Sequence, residues 1–254
     1  MINNILTLYL IGHLLGDFYL QSDSLAKNKT KSNISLLKHS GIYLLSMILV
    51  IIPIWNWYSL GISLILSSVH AIVDFLKKFY SKNNEENISL FLLDQSIHIL
   101  TIFLVLLVVS SQFNVINYTC IIQSSFEILQ IDISIFFKWI LVLLIIYKPS
   151  SITIKKILHS YKGPKIQETP KIIEKIDEGI ENAGTLIGVL ERAIILLLLF
   201  AKQYIVIGFI LTAKSIARYD KIVKDPIFSE NYLLGTLLSL LIAIASYLII
   251  FYKP

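Results

Sequence analysis

The sequence predicts an all-α integral membrane protein, a polytopic helical bundle of seven or eight transmembrane helices. Three observations carry this. Of 254 residues, 56% are hydrophobic and only 15% charged, with mean hydropathy +0.74, whereas a soluble domain carries about 25% charged residues. Apolar stretches close to the roughly 20 residues that a span needs recur along the chain. Lysines gather in alternate loops between them. This balance excludes an ordinary cytosolic enzyme, a disordered tail and a nucleic-acid-binding module with a soluble core. The net charge of +5 and pI near 9.1 are therefore assigned to loops facing anionic lipid, and the bilayer is the expected partner. With one cysteine, Cys120, an intrachain disulfide and CxxC metal motifs are excluded.

In chain order the spans are expected near 3–20, 39–56, 58–77, 88–110, 133–148, 184–201, 203–218 and 231–252. The first has no basic region before it, and Gly12 to Asp17 places polar groups inside it. It therefore reads as a retained helix and not as a cleavable signal peptide. Val115 to Asp132 is mixed and reads as an amphipathic surface piece. Segment 149–182 alternates lysines and acids and holds Gly163-Pro164 and Pro170. It reads as a turn followed by a charged surface helix. The seventh stretch is short and ends in charge, so it fits a full or a half span. Trp55, Trp57, Tyr58, Tyr232, Tyr247 and Tyr252 suit interface anchors. Three regions follow: a four-span bundle over 1–110, an amphipathic segment with one span and a basic loop over 111–182, and a three-span back half over 183–254.

Loop charge sets the orientation. Lys27, Lys29, Lys31 and Lys38 follow the first span, Lys77, Lys78 and Lys82 the third. Lys155, Lys156, Lys162, Lys165, Lys171 and Lys175 lie in 149–182, and Lys221 and Lys224 follow the seventh span. Loops 53–58 and 111–132 hold no Lys or Arg. The alternation matches the positive-inside rule with the N-terminus outside, in a multi-pass membrane protein.

Polar residues inside the spans point to chemistry. His13 and Asp17, His70 and Asp74, and Asp94 and His98 are three i,i+4 pairs, and members of such pairs share a helix face. Random placement of five histidines and 17 carboxylates gives about 0.7 such pairs. His39 joins them at the start of span two. In the topology above, all seven lie at similar depth in the cytoplasmic half, flanked by Gln21, Lys77 and Gln95. An isolated aspartate in hydrocarbon costs about 2.5–3.5 kcal/mol. Grouping around a cation keeps these carboxylates ionised, and imidazole with carboxylate suits zinc, manganese or iron. Structural hydrogen bonds and a proton or ion path are the competing readings.

His13-x-x-x-Asp17-Phe18 and His70-x-x-x-Asp74-Phe75 also suggest a duplicated helical hairpin in the first four spans. Gly12 and Gly16 are read as close helix packing. In the back half, Glu191, Arg192, Lys214 and Arg218 form a second cluster. It fits a buried ionic network, or a cationic pocket for a phosphate or carboxylate.

The blocks H-L-L-G-D-F-Y-L-Q (13–21), A-K-N-K (26–29), H-A-I-V-D-F-L-K (70–77) and D-Q-S-I-H (94–98) resemble the bacterial membrane family called domain of unknown function 3307. Matching positions are His13, Asp17, Gln21, Lys29, His39, His70, Asp74, Lys77, Asp94, Gln95 and His98. Blocks 187–192 and 213–218 resemble its longer members, and 111–182 is the least matched stretch. The resemblance implies a bacterial plasma (inner) membrane and brings no activity with it. The residues lead to a working expectation of a metal-dependent hydrolase on a phosphorylated or lipid-like substrate. Asp17, Asp74 and Asp94 are the catalytic candidates. His13, Asp17, His39, His70, Asp74, Asp94 and His98 are candidate ligands of zinc or manganese. Gln21, Lys29, Lys77, Gln95, Arg192, Lys214 and Arg218 are candidates for binding substrate. The site is expected to open to the cytoplasm and to be sealed outside, because outer halves such as 100–109 and 44–52 hold no ionisable group. The alternatives are an ion- or proton-coupled transporter and a non-enzymatic membrane scaffold.

Overall fold

The computed structural model describes residues 2–30, 32–80, 88–109, 117–161 and 183–251. The basic stretch around Lys165, the expected surface helix after it, and Lys82 lie outside the described residues. Everything regular among the described residues is helical. Five helices are long and apolar enough to cross a membrane: Asn33–Val50, Trp57–Phe79, Ile88–Val108, Ile133–Tyr161 and Pro226–Phe251. The chain divides into two compact units, Met1–Leu144 and Ile145–Pro254, and the division falls inside one helix.

In the first unit, α1 (Ile2–Leu14) continues into a π-helical turn at Leu15–Tyr19, followed by the short α2 (Asp23–Asn28). Then come α3 (Asn33–Val50), α4 (Trp57–Tyr80), α5 (Ile88–Val108), α6 (Cys120–Ile128) and the first part of α7 (Ile133–Tyr161). Helices α1, α3, α4 and α5 close a ring, each packed on the next and α5 on α1. Glycines set the α1–α3 approach. A Cβ on Gly12 would stand 2.8 Å from Val50, and one on Gly16 would stand 2.8 Å from the Tyr43 ring and 3.2 Å from its Cα. The end of the ring nearer the starts of α1 and α4 is filled by Tyr9, Met47, Ile51, Ile62, Leu66, Ile102 and Leu106, all buried. At that end the amide of Thr119 donates to the Pro53 carbonyl at 2.8 Å, tying the two lysine-free loops together. The mixed segment forms α6, with no buried residue.

Two helix bounds differ from the sequence expectation. Helix α3 starts at Asn33, not near 39, so His39 lies almost two turns inside it. Helix α7 runs through Pro149, where the span was expected to stop. Proline lacks the N–H that would bond the carbonyl four residues back. Ser150 Oγ donates to that carbonyl, Ile145 O, at 2.6 Å, and Arg192 Nε donates to the next, Ile146 O, at 2.7 Å. Side chains thus satisfy the backbone that proline frees, as a span in lipid requires.

The second unit holds the rest of α7, α8 (Ala183–Phe200), α9 (Tyr204–Ile216), α10 (Tyr219–Lys224) and α11 (Pro226–Phe251). Ile195, Leu199, Ile207 and Ala243 form its core. Helix α9 has 13 residues, about 20 Å at 1.5 Å per residue, short of the roughly 30 Å of hydrocarbon.

Candidate metal centre

The ring of α1, α3, α4 and α5 aims its polar residues inward at one place. His13, Asp17, His39, His70, Asp74, Asp94 and His98 are all buried there. His70 stacks on His98 with ring centroids 4.2 Å apart, and His13 lies 5.6 Å from His98. His39 is 5.3 Å from His70. Two of the three helical pairs touch directly, His70 Nε2 with Asp74 at 3.4 Å and His98 Nε2 with Asp94 at 3.5 Å. The third is re-aimed by the π turn, where Leu20 N–H bonds Leu15 O five residues back at 2.8 Å. Asp17 faces His39 and His70 across the ring, while His13 meets Tyr43 Oη and Gln95 Oε1, each at 3.3 Å.

Four atoms define the centre: Asp17 Oδ1, His39 Nε2, His70 Nε2 and Asp74 Oδ2. The two nitrogens are 3.1 Å apart, and the four nitrogen–oxygen pairs measure 3.2, 3.1, 3.4 and 3.4 Å. Ligand bonds of about 2.0 Å put neighbouring ligand atoms about 3.3 Å apart, and His39, His70 and Asp74 form one set of three that could hold a metal ion, as do His13, Asp17 and His70. The Nδ1 atoms of His39 and His70 have no hydrogen-bond partner. A further group adjoins, in which Asp74, Asp94 and His98 offer atoms within 4.8 Å of one another. There Asp94 Oδ1 and His98 Nε2 are buried without a hydrogen bond.

Lysine occupies the same neighbourhood. Lys29 Nζ stands 3.0 Å from Asp74 Oδ2, 3.2 Å from His39 Nε2 and 3.9 Å from Asp17. Burial alone would lower its pKa, but the Asp17 and Asp74 carboxylates outweigh it and hold the pKa above the ordinary lysine value. The stabilisation from this charge is therefore complete below the ordinary lysine pKa and is lost only as pH rises past the raised one. Lys77 pairs with Asp94 at 2.6 Å, and Gln95 Nε2 donates to Asp17 Oδ2 at 3.0 Å. Gln21 bends back to donate to the Asp17 carbonyl.

Sequence reasoning missed two contributors. Tyr43 stacks flat on His70 at 3.6 Å and bonds His13; its place on α3 one turn after His39 was the available signal. Ser59, Ser63 and Ser67 are buried on α4, spaced by four and followed by His70 and Asp74, so one helix face carries hydroxyls from the start of α4 to the centre. Ser67 Oγ has no hydrogen-bond partner.

The back-half candidates belong to the second unit and line one cavity there. Lys214 pairs with Glu191 at 2.5 Å and reaches Thr236 at 3.2 Å. Arg192, beside Glu191 in sequence, bonds only neutral oxygens: Ile146 O, Ser151 Oγ and Ser239 Oγ.

Fold and site together define an all-helical protein with membrane-length apolar helices and a buried His/Asp/Lys cluster that could hold a metal ion. Residues 5–126, just under half of the chain, match the family described as a protein of unknown function (DUF3307). That stretch contains every histidine and aspartate of the cluster and stops short of the back-half blocks at 187–192 and 213–218. No curated protein and no solved structure matches the chain.

Proposed function

We propose that this protein binds a divalent transition metal, zinc or manganese, at Asp17, His39, His70 and Asp74, and carries it across the membrane. The observation that carries the metal is the close set of ligand atoms, His39 Nε2, His70 Nε2 and Asp74 Oδ2 at 3.1–3.4 Å from one another, with Asp17 Oδ1 at 3.2 and 3.4 Å from the same two nitrogens. Charge agrees with it. Three carboxylates against Lys29 and Lys77 leave one negative charge in the cluster. When a divalent ion takes the place of the Lys29 ammonium, the sum is zero, the state a low-dielectric interior favours. Lys29 thus holds the carboxylates together until metal arrives. Asp17 and Asp74 approach the same two imidazoles at closely similar distances, which supports the duplicated-hairpin reading.

Depth and path favour a carrier. His70 lies 13 residues from the start of α4 and 10 from its end, about 20 Å and 15 Å of rise, close to the midplane where carriers bind. The ligand side chains are at most 2% exposed, so the centre is closed to both faces in this state, unlike the open cytoplasmic pocket expected. The serine face of α4 supplies polar groups through the half that had looked dry. A second reading, hydrolysis of a phosphorylated or lipid-like substrate, draws on the unpartnered Asp94 Oδ1 and His98 Nε2, a general-base pair beside the metal.

The test is elemental analysis of the purified full chain, then metal uptake into proteoliposomes. About one ion per chain and uptake above empty vesicles are expected; no retained metal after loading overturns the proposal. For topology we propose the N-terminus and the α6 segment outside. An impermeant maleimide on intact cells should label native Cys120, which is exposed. It should fail on Ser24→Cys in a Cys120→Ser background; the opposite pattern reverses the orientation.

A further inference from the structure

The second unit contains a cavity of about 390 Å³, within the range of small-ligand pockets. Its walls carry Lys155, Arg192, Lys214 and Arg218 against one carboxylate, Glu191, and Glu191 is already engaged by Lys214. Arg192 is the telling residue. It is 2% exposed, and its hydrogen bonds reach only a backbone carbonyl and two serine hydroxyls. A buried cation with no counter-ion bonded to it is costly, and an anion in the adjoining cavity relieves that cost.

The cavity is built for close approach. Gly188 leaves Arg192 Nη1 uncovered; a Cβ there would stand 3.4 Å from it. Gly184 faces open space, with nothing within 4 Å of a Cβ. Both line the cavity from α8. Ile154, Leu158, Ile187 and Tyr232 add apolar wall, and Ser151, Thr185, Asn231, Thr236 and Ser239 add neutral polar groups. One further atom constrains the ligand: Glu191 Oε1 is buried without a hydrogen-bond donor, so the occupant presents a donor beside its anionic group.

We infer that this cavity binds a phosphate-type anion bearing a neighbouring hydroxyl or ammonium donor, as a phospholipid headgroup does. The inference rests on the second unit alone and stands whether or not the His/Asp centre holds metal. The test is calorimetric titration of the purified full chain in a neutral detergent with three probes. These are dihexanoyl phosphatidylglycerol, dihexanoyl phosphatidylcholine and inorganic phosphate. Saturable binding of phosphatidylglycerol is expected, weakened at least tenfold by Gly184→Leu, which plugs the space. The double variant Lys155→Gln, Arg218→Gln, two substitutions at the cavity mouth, should weaken it similarly. Unchanged melting temperatures show that these variants fold. Equal binding of inorganic phosphate identifies a free anion as the ligand; preference for the lipid identifies a headgroup. Binding of none of the anions, or binding that both variants leave intact, overturns the inference.

Discussion

Asp74→Asn is expected to lower metal affinity by about 100-fold or more, because it removes one of four ligands and the charge that retains the ion. The same change removes the nearest carboxylate of the Lys29 ammonium, Asp74 at 3.0 Å, and leaves it Asp17 at 3.9 Å. Breaking a buried ion pair costs about 3–5 kcal/mol, so the single variant confounds loss of metal with loss of fold. The cleaner experiment pairs it with Lys29→Met, which removes carboxylate and ammonium together. The double variant should purify with a melting temperature near that of the metal-free parent and hold no stoichiometric metal. Metal retained at about one ion per chain would show that Asp74 is no ligand and that its close approach to the imidazoles reflects hydrogen bonding alone.

The second large effect separates a carrier from a resident centre. Ser63 and Ser67 lie between the start of α4 and His70, and no metal-ligand candidate precedes them on that helix. Replacing both with alanine removes the hydroxyls and adds no volume. Ser63 Oγ donates to the backbone carbonyls of Ser59 at 3.0 Å and Met47 at 3.5 Å and lies beside the Tyr9 hydroxyl, and Ser67 Oγ donates to nothing, so the melting temperature is measured alongside. Metal content should stay at the parent level while proteoliposome uptake falls at least tenfold. Uptake unchanged in this variant closes the serine route; uptake absent from the parent itself, with metal bound, favours the hydrolytic reading.

Much of the centre was legible because helical periodicity is local. Three His–Asp spacings of four put each pair on one face whatever the tertiary fold, and loop lysines ordered the helices. What could not be read is where a flexible side chain ends up. Lys29 was taken for a substrate contact, yet its long stem carries the ammonium into the centre from the segment between α1 and α3. The membership of His39 in the same four-atom set is likewise tertiary, fixed by Gly12 and Gly16 drawing α1 onto α3. The serine face shows in the sequence as a spacing of four, but a hydroxyl can serve an ion while remaining neutral and so adds nothing to the charge pattern. Pro149 misled for a different reason. Proline ends a helix when the freed carbonyl has only water to turn to, and here Ser150 and Arg192 stand in.

The π turn at Leu15–Tyr19 gives the site a dependence on chain length that residue identity does not reveal. A helix that closes one turn with a five-residue bond holds one residue more than its rise requires. Deleting a residue there, Leu15 for instance, lets the backbone relax into unbroken α-helix, the lower-energy form. The turns on either side keep their register, while the residues inside the bulge, Asp17 among them, take new directions. Asp17 would swing off the imidazoles it now faces while the apolar packing of α1 re-forms around it. The shortened chain is expected to be at least as heat-stable as the parent and to bind no metal. Here the extra residue, more than any one side chain, is what stability gives up to function.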